Sequence, residues 1–169
     1  QNLTGVEPMS IPFDYPETLS IFTSLDALKI KNPDYQFTHG TYAIPEFGTN
    51  FTRGMLDDIK PKTVSALIKM SGFSHGTLVW QGNGQDLLLK DERLKDVIKG
   101  EDITIDDLIS SRDDIMRYLI LHGIDKSESF KIMEKVRKNK VLTEEELELM
   151  KSHGVPDWYI WSCETLTYL

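Results

Sequence analysis

The sequence predicts an all-α fold, arranged as one irregular multi-helix module over residues 1–169. Apolar residues recur at three- and four-residue spacings, as in Ile115, Met116, Leu119 and Ile120, whereas no run with the two-residue period of a strand exceeds about five residues. Helix start and stop signals bracket these periodic stretches. A chain of this length buries roughly 70% of the surface that its unfolded form exposes, which is enough for a real core.

The stretch up to about Pro12 reads as extended, because a proline holds the residue before it out of the helical region. Asp14 and Glu17 have the spacing of a capping box and Pro16 suits a first turn, so a short helix is expected through Leu19, Ile21 and Phe22. Ser24 to Leu28 adds one turn. Residues 29–48 show no sustained period and are punctuated by Pro33, Gly40, Pro45 and Gly48, the mark of a loop. Phe51, Met55, Leu56 and Ile59 predict a helix over 49–59 despite Gly54, ended by Pro61. Thr63 caps the next helix, with Val64, Leu67, Ile68 and Met70 buried and Gly72 as its stop. The stretch SGFSHGT, residues 71–77, then reads as a structured turn.

Helical patterns resume at 91–99, at 104–110 from Thr104, and at 111–122 up to Gly123. Ser127 opens a basic helix. Thr143 and Glu146 form a second capping box for a helix that ends near Gly154, and Pro156 with Asp157 starts a terminal segment carrying Trp158, Tyr159 and Trp161.

Nineteen basic against twenty-seven acidic residues give a net charge of −8, which argues against a general nucleic-acid coat. No apolar run approaches the ~18 residues of a membrane span. The four histidines, His39, His75, His122 and His153, lie far apart, and neither HExxH nor paired CxxC occurs, so no zinc site is expected. Neither nucleotide fingerprint, GxGxxG or GxxxxGK, is present. The single Cys163 sits among aromatics and has no base beside it, which suits a buried structural thiol. Asp57-Asp58, Asp106-Asp107 and Asp113-Asp114 are adjacent pairs; neighbours on a helix diverge, so these supply dipole charge or solvation more readily than a two-metal site.

Three features suit an anionic or aromatic ligand. Between residues 131 and 140, five cations, Lys131, Lys135, Arg137, Lys138 and Lys140, face one anion, Glu134. On a helix turning about 100° per residue, Lys131, Lys135 and Lys138 form one stripe about 60° wide, opposite Phe130, Ile132, Met133 and Val136. Such a row matches a polyphosphate, and it equally matches bulk water. Arg137 leans to the apolar arc, where its stem can cover the core. SGFSHGT offers the Ser74 hydroxyl and the His75 imidazole, followed by Trp80, a set that suits hydrogen bonding and stacking of a base as well as a plain turn. Arg112 stands at a predicted helix N-terminus, against the helix dipole, where it can grip phosphate beside exposed N–H groups or pair with Asp113 or Asp114.

The segments IPEFGT (44–49), FTRGML (51–56), KPKT (60–63), SGFSHGT with Trp80, SRDDIM (111–116), FKIMEKVRK (130–138) and HGVPDWYI (153–160) together resemble, in order, the fingers region of the PolC-type bacterial DNA polymerase III alpha subunit. The resemblance covers nearly the whole chain. It implies a fingers module of a C-family polymerase, a nucleotidyltransferase of DNA replication, cytoplasmic and without a membrane. Its extended start, about 1–13, would continue from the palm. It implies contacts to the incoming dNTP and to primer-template DNA by Ser74, His75, Arg112, Lys131, Lys135, Arg137 and Lys138, with the other polymerase domains and replisome subunits as further partners. Mg²⁺ would be held by palm aspartates outside this segment, which leaves this chain alone inactive, with no catalytic or metal-binding residue of its own. A structural or protein-interaction module with solvated lysines is the alternative.

Overall fold

The structure, a computed structural model, describes residues 3–30, 37–76 and 78–169. Pro33 and Thr77 lie outside the described residues. Among those described, the regular elements are helices and no strand forms, as expected. The chain divides into two compact units, residues 1–68 and 69–169.

The first unit holds α1 (Pro16–Ser20), α2 (Asn50–Ile59) and the start of α3 (Val64–His75). The N-cap of α1 is Tyr15, whose side chain makes no capping bond to the helix amides, and the Asp14–Glu17 box does not form. With Pro16 at the first helical position, Asp14 stands one residue too early to reach the amides an N-cap serves. Thr49 caps α2 by accepting from the Thr52 amide at 3.1 Å, and the Thr52 hydroxyl donates to the Glu46 carbonyl at 2.9 Å, which folds the IPEFGT loop back onto the helix. Phe22 and Phe47 meet edge to face with ring centroids 5.1 Å apart, and Met55 and Leu56 are fully buried. Thr63 caps α3 as predicted, accepting from the Ala66 amide at 3.1 Å.

The second unit holds the rest of α3, then α4 (Gln85–Leu88), α5 (Lys95–Ile98), α6 (Arg112–Leu121), α7 (Lys126–Arg137), α8 (Glu144–Ser152) and α9 (Asp157–Thr165). α6 and α7 form a helical hairpin that turns at Gly123, whose φ of 85° is open to glycine without strain. Ser129, Ile132, Met133 and Val136 are the buried residues of α7. Spaced i, i+3, i+4 and i+7, they set the packed arc. Tyr159 of α9 stacks on Tyr118 of α6 at 3.6 Å and is fully buried. A buried pair ties residues 80–84 to α9: Asn83 donates to the Ser162 carbonyl at 2.9 Å, and the Ser162 hydroxyl donates back to Asn83 at 2.6 Å.

Several expectations fail for identifiable reasons. Gly72 does not stop α3, which runs to His75, so residues 71–75 are helical and not a turn. The glycine serves proximity instead: a methyl there would collide with the Ser110 carbonyl. Ile68 is 68% exposed, and the buried positions of α3 are Ala66, Met70 and Phe73. Residues 104–110 make one turn and no helix, because the Asp107 carboxylate accepts from both the amide and the hydroxyl of Thr104 and closes the turn with a side chain. α7 starts at Lys126 under an Asp125 cap, one residue ahead of Ser127. Phe130 is half exposed, since Ser129 takes the position facing the core.

Two glycines then predict opposite responses. Gly72→Ala should destabilise by about 2 kcal/mol, the cost of overpacking against fixed backbone. Gly54 lies within α2 with open space where a side chain would go, so Gly54→Ala should stabilise by about 0.5–1 kcal/mol. Urea denaturation of both variants against the parent checks the pair, and equal signs would contradict this account.

Candidate functional site

α6 begins with a hydroxyl cap. The Ser111 side chain accepts from the Asp114 amide at 3.4 Å, and the Asp114 carboxylate accepts from the Ser111 amide at 3.0 Å, a reciprocal capping box. The same carboxylate accepts from the Ser110 amide at 2.9 Å and the Ser110 hydroxyl at 2.8 Å, and pairs with the Lys69 ammonium at 3.1 Å. Lys69 also donates to the Leu108 carbonyl at 2.7 Å. Partial burial works against the Asp114 charge, but the Ser110 bonds and the Lys69 ammonium outweigh it and hold this carboxyl below the usual range. Asp113 diverges from Asp114, as adjacent helical residues must, and stands exposed.

This arrangement sets one wall of a cavity of about 380 Å³, lined by Ser110, Ser111, Arg112 and Asp113 on that side and by Gly72, His75 and Gly76 on the other. Arg137 and Leu169 complete the lining. Arg112 is the first residue of α6 and is exposed; among the described residues its side chain has no hydrogen-bond or ion-pair partner. The leading amides of any α-helix lack intrahelical acceptors, so Arg112 adds a guanidinium to donors already pointing outward. His75 is exposed, with Nδ1 2.6 Å from the Ser71 carbonyl, so that nitrogen carries the proton in this contact. Arg137 is bound to Glu134 through Nε at 2.8 Å.

Of the residues singled out in the sequence, His75, Arg112 and Arg137 come together at this cavity. Ser74 is next to it and donates to the Ser71 carbonyl at 2.8 Å, also standing 3.1 Å from His75 Nδ1. Lys131, Lys135 and Lys138 do not line it, and each is ion-paired: Lys131 with Glu128 at 2.6 Å, Lys138 with Glu134 at 2.6 Å, and Lys135 with Glu146 at 2.7 Å. Trp80 is 2% exposed and packs on Phe73 at 5.1 Å, so it offers no face for stacking a base. Sequence reasoning missed Lys69, whose only signal was a cation amid apolar neighbours on a predicted helix.

Cys163 is buried, and that burial pushes its thiol far above the usual range, the behaviour of an inert packing residue. Among the described residues no three His, Cys, Asp or Glu side chains gather as a metal ion needs. No helix of the described residues is long and apolar enough to cross a membrane.

Comparison with known proteins gives a consistent result. The family model described as the bacterial DNA polymerase III alpha subunit finger domain matches residues 1–154. The chain is 47% identical over 169 residues to the PolC-type DNA polymerase III of Caldanaerobacter subterraneus subsp. tengcongensis. The corresponding identities are 46% for Listeria welshimeri serovar 6b and 45% for Staphylococcus aureus, and in all three the match covers 100% of this chain and 11% of the relative.

The Asp114 network predicts an acid-sensitive contribution to stability. The folded pKa lies below the unfolded value of 3.8, so folding favours the ionised form; the contribution is complete above the unfolded value and disappears as pH falls through the folded one. Asp114→Asn should cost about 2 kcal/mol at pH 7, less than the roughly 3–5 kcal/mol of breaking a fully buried pair because Asp114 is only partly buried. The deficit should shrink toward pH 3. Urea denaturation of parent and variant at both pH values checks this, and a constant deficit would contradict it.

Proposed function

Because the chain belongs to the bacterial DNA polymerase III alpha subunit finger domain family, we propose that it forms the fingers of a replicative DNA-directed DNA polymerase and that the cavity at the start of α6 receives the phosphates of an incoming dNTP. One observation carries the reading: a guanidinium without a partner among the described residues, Arg112, stands at a helix N-terminus inside a cavity that His75 and Arg137 share. Arginine suits phosphate because its planar fork donates two parallel hydrogen bonds, and outward amides add donors without further charge. His75 and neighbouring Ser74 supply polar contacts at the opposite wall, toward the nucleoside or its templating partner. Arg137 reaches phosphate by exchanging Glu134 for it.

In this reading the segment orients the triphosphate and stabilises charge that builds on it, while the bond-making groups and any Mg²⁺ belong to other parts of the polymerase. Lys131 and Lys138 contact the DNA backbone by exchanging Glu128 and Glu134 for it at short range, and Lys135 holds α7 to the cap of α8 through Glu146. A second reading, a helical interaction module without nucleotide contact, draws support from the ion pairing of all three lysines.

Two measurements separate them. In the full-length polymerase that carries this segment, Arg112→Ala should lower kcat/KM for dNTP incorporation about thirtyfold, equivalent to about 2 kcal/mol for a charge-assisted phosphate contact. Ser74→Ala should alter dNTP or base-analogue binding with a stability change near 1 kcal/mol or less. Wild-type kinetics in both variants would favour the interaction module. Separately, the isolated 169-residue chain supplied with Mg²⁺, dNTPs and primed template should not extend the primer; extension by pure protein would contradict the assignment of the chemistry to other domains.

A further inference from the structure

The Lys69 side chain is 13% exposed, so its ammonium is nearly withdrawn from water. Desolvating a cation is costly, and an apolar residue of similar length commonly serves stability as well or better. Packing alone therefore does not account for a lysine at this point. Its two acceptors do suggest a task. The Leu108 carbonyl at 2.7 Å and the Asp114 carboxylate at 3.1 Å both belong to the segment that leads into and begins α6. Gly72, less than one turn further along α3, removes the side chain that would hold Ser110 away. Gly72 and His75 belong to one wall of the cavity, and Ser110, Ser111 and Arg112 to the other. The Lys69 ammonium thus bridges the two walls, on helix α3 six residues before His75 and through Asp114 two residues after Arg112.

We infer that Lys69 is a positioning residue for this cavity: by clamping Asp114 and the Leu108 carbonyl to α3, it fixes the start of α6 so that Arg112 and its neighbouring amides meet a nucleotide's phosphates in register with His75. The inference rests on the phosphate reading of the cavity given above. Lys69 itself touches no ligand. Its contribution is directional, since two hydrogen bonds from one ammonium to two points of the same segment fix both the height and the tilt of that segment on α3. An apolar replacement keeps the packing and loses the direction. A displacement on the ångström scale is enough to degrade an aligned polar contact.

The test uses the full-length polymerase that carries this segment, with Lys69→Met, Lys69→Arg, Arg112→Ala and the Lys69→Met/Arg112→Ala double variant. Steady-state dNTP incorporation gives KM and kcat, and hydrogen exchange gives the protection of residues 108–116. Lys69→Met should raise the dNTP KM about tenfold with kcat within about twofold, the pattern of lost binding shared by ground and transition states. Exchange in 108–116 should quicken while the rest of the protein keeps its protection. Lys69→Arg, able to reach both acceptors, should recover KM to within about threefold of the parent. In the double variant, Lys69→Met should add little to the loss caused by Arg112→Ala, because it acts through Arg112.

Effects that multiply in the double variant, or protection lost throughout the protein, would overturn positioning in favour of a general structural role. A parental KM in Lys69→Met beside an impaired Arg112→Ala would overturn the inference and leave the phosphate reading standing. A parental kcat/KM in Arg112→Ala would overturn both.

Discussion

The Asp114 carboxylate receives the Ser110 amide and hydroxyl, the Ser111 amide and the Lys69 ammonium, and the second unit takes its functional shape from those contacts. Each donor belongs to a different structural need. The Ser111 amide completes the cap of α6, the Ser110 bonds hold an irregular segment that has no ladder of its own, and Lys69 brings in α3. One charged group satisfies all of them because an ionised carboxylate offers about four acceptor positions. A neutral residue cannot, so the charge at Asp114 is a structural requirement, and its lowered pKa is the same fact in protonation terms.

Much of this was legible in sequence, and the parts that were not share a cause. α6, α8 and α9 were expected where they stand because caps, apolar spacing and terminal Gly or Pro agreed with one another; Thr143 with Glu146 makes the expected capping box. Gly72 misled because the local rule takes glycine near a helix end as a stop, whereas here it permits contact with Ser110, distant in sequence. Once the helix continues, the Ser74 hydroxyl finds the carbonyl three residues back, a bond open to any helical serine. Residues 104–110 misled in the opposite direction: the pattern of a helix was present, but Asp107 closed a single turn on Thr104. The failures thus concern groups whose partner, not whose neighbours, decides their conformation.

The lysine stripe shows the same limit in electrostatic form. Helical spacing alone puts Glu128 three residues from Lys131 and Glu134 four from Lys138, so two of the pairs were written locally. Lys135 with Glu146 was not, because it joins α7 to the capping box of α8, and such a link exists only after the two helices dock. Four of the five cations concentrated in sequence are therefore matched by three carboxylates in space, with Arg137 and Lys138 sharing Glu134. The Glu134 carboxyl, held down to about 2 by Arg137 and Lys138, stays ionised and keeps that neutralisation in place across the physiological range.

What remains at the cavity is a modest charge with strong direction. Asp114 is negative, but its oxygens are turned inward to Lys69 and two serines, and Ser111 caps α6 with a neutral hydroxyl. An acidic cap would have placed a full negative charge where the helix offers its leading amides. Asp113 does bring one to the rim, so it offsets Arg112, and Arg137 comes already paired. The net potential there is accordingly small, and the whole chain is at −8, which repels a distant anion. Under the proposed phosphate reading, recognition would then be short-ranged: it would depend on a guanidinium fork and helix amides aligned to within hydrogen-bond tolerance, and the contacts beneath α6 are of the kind that fix such alignment.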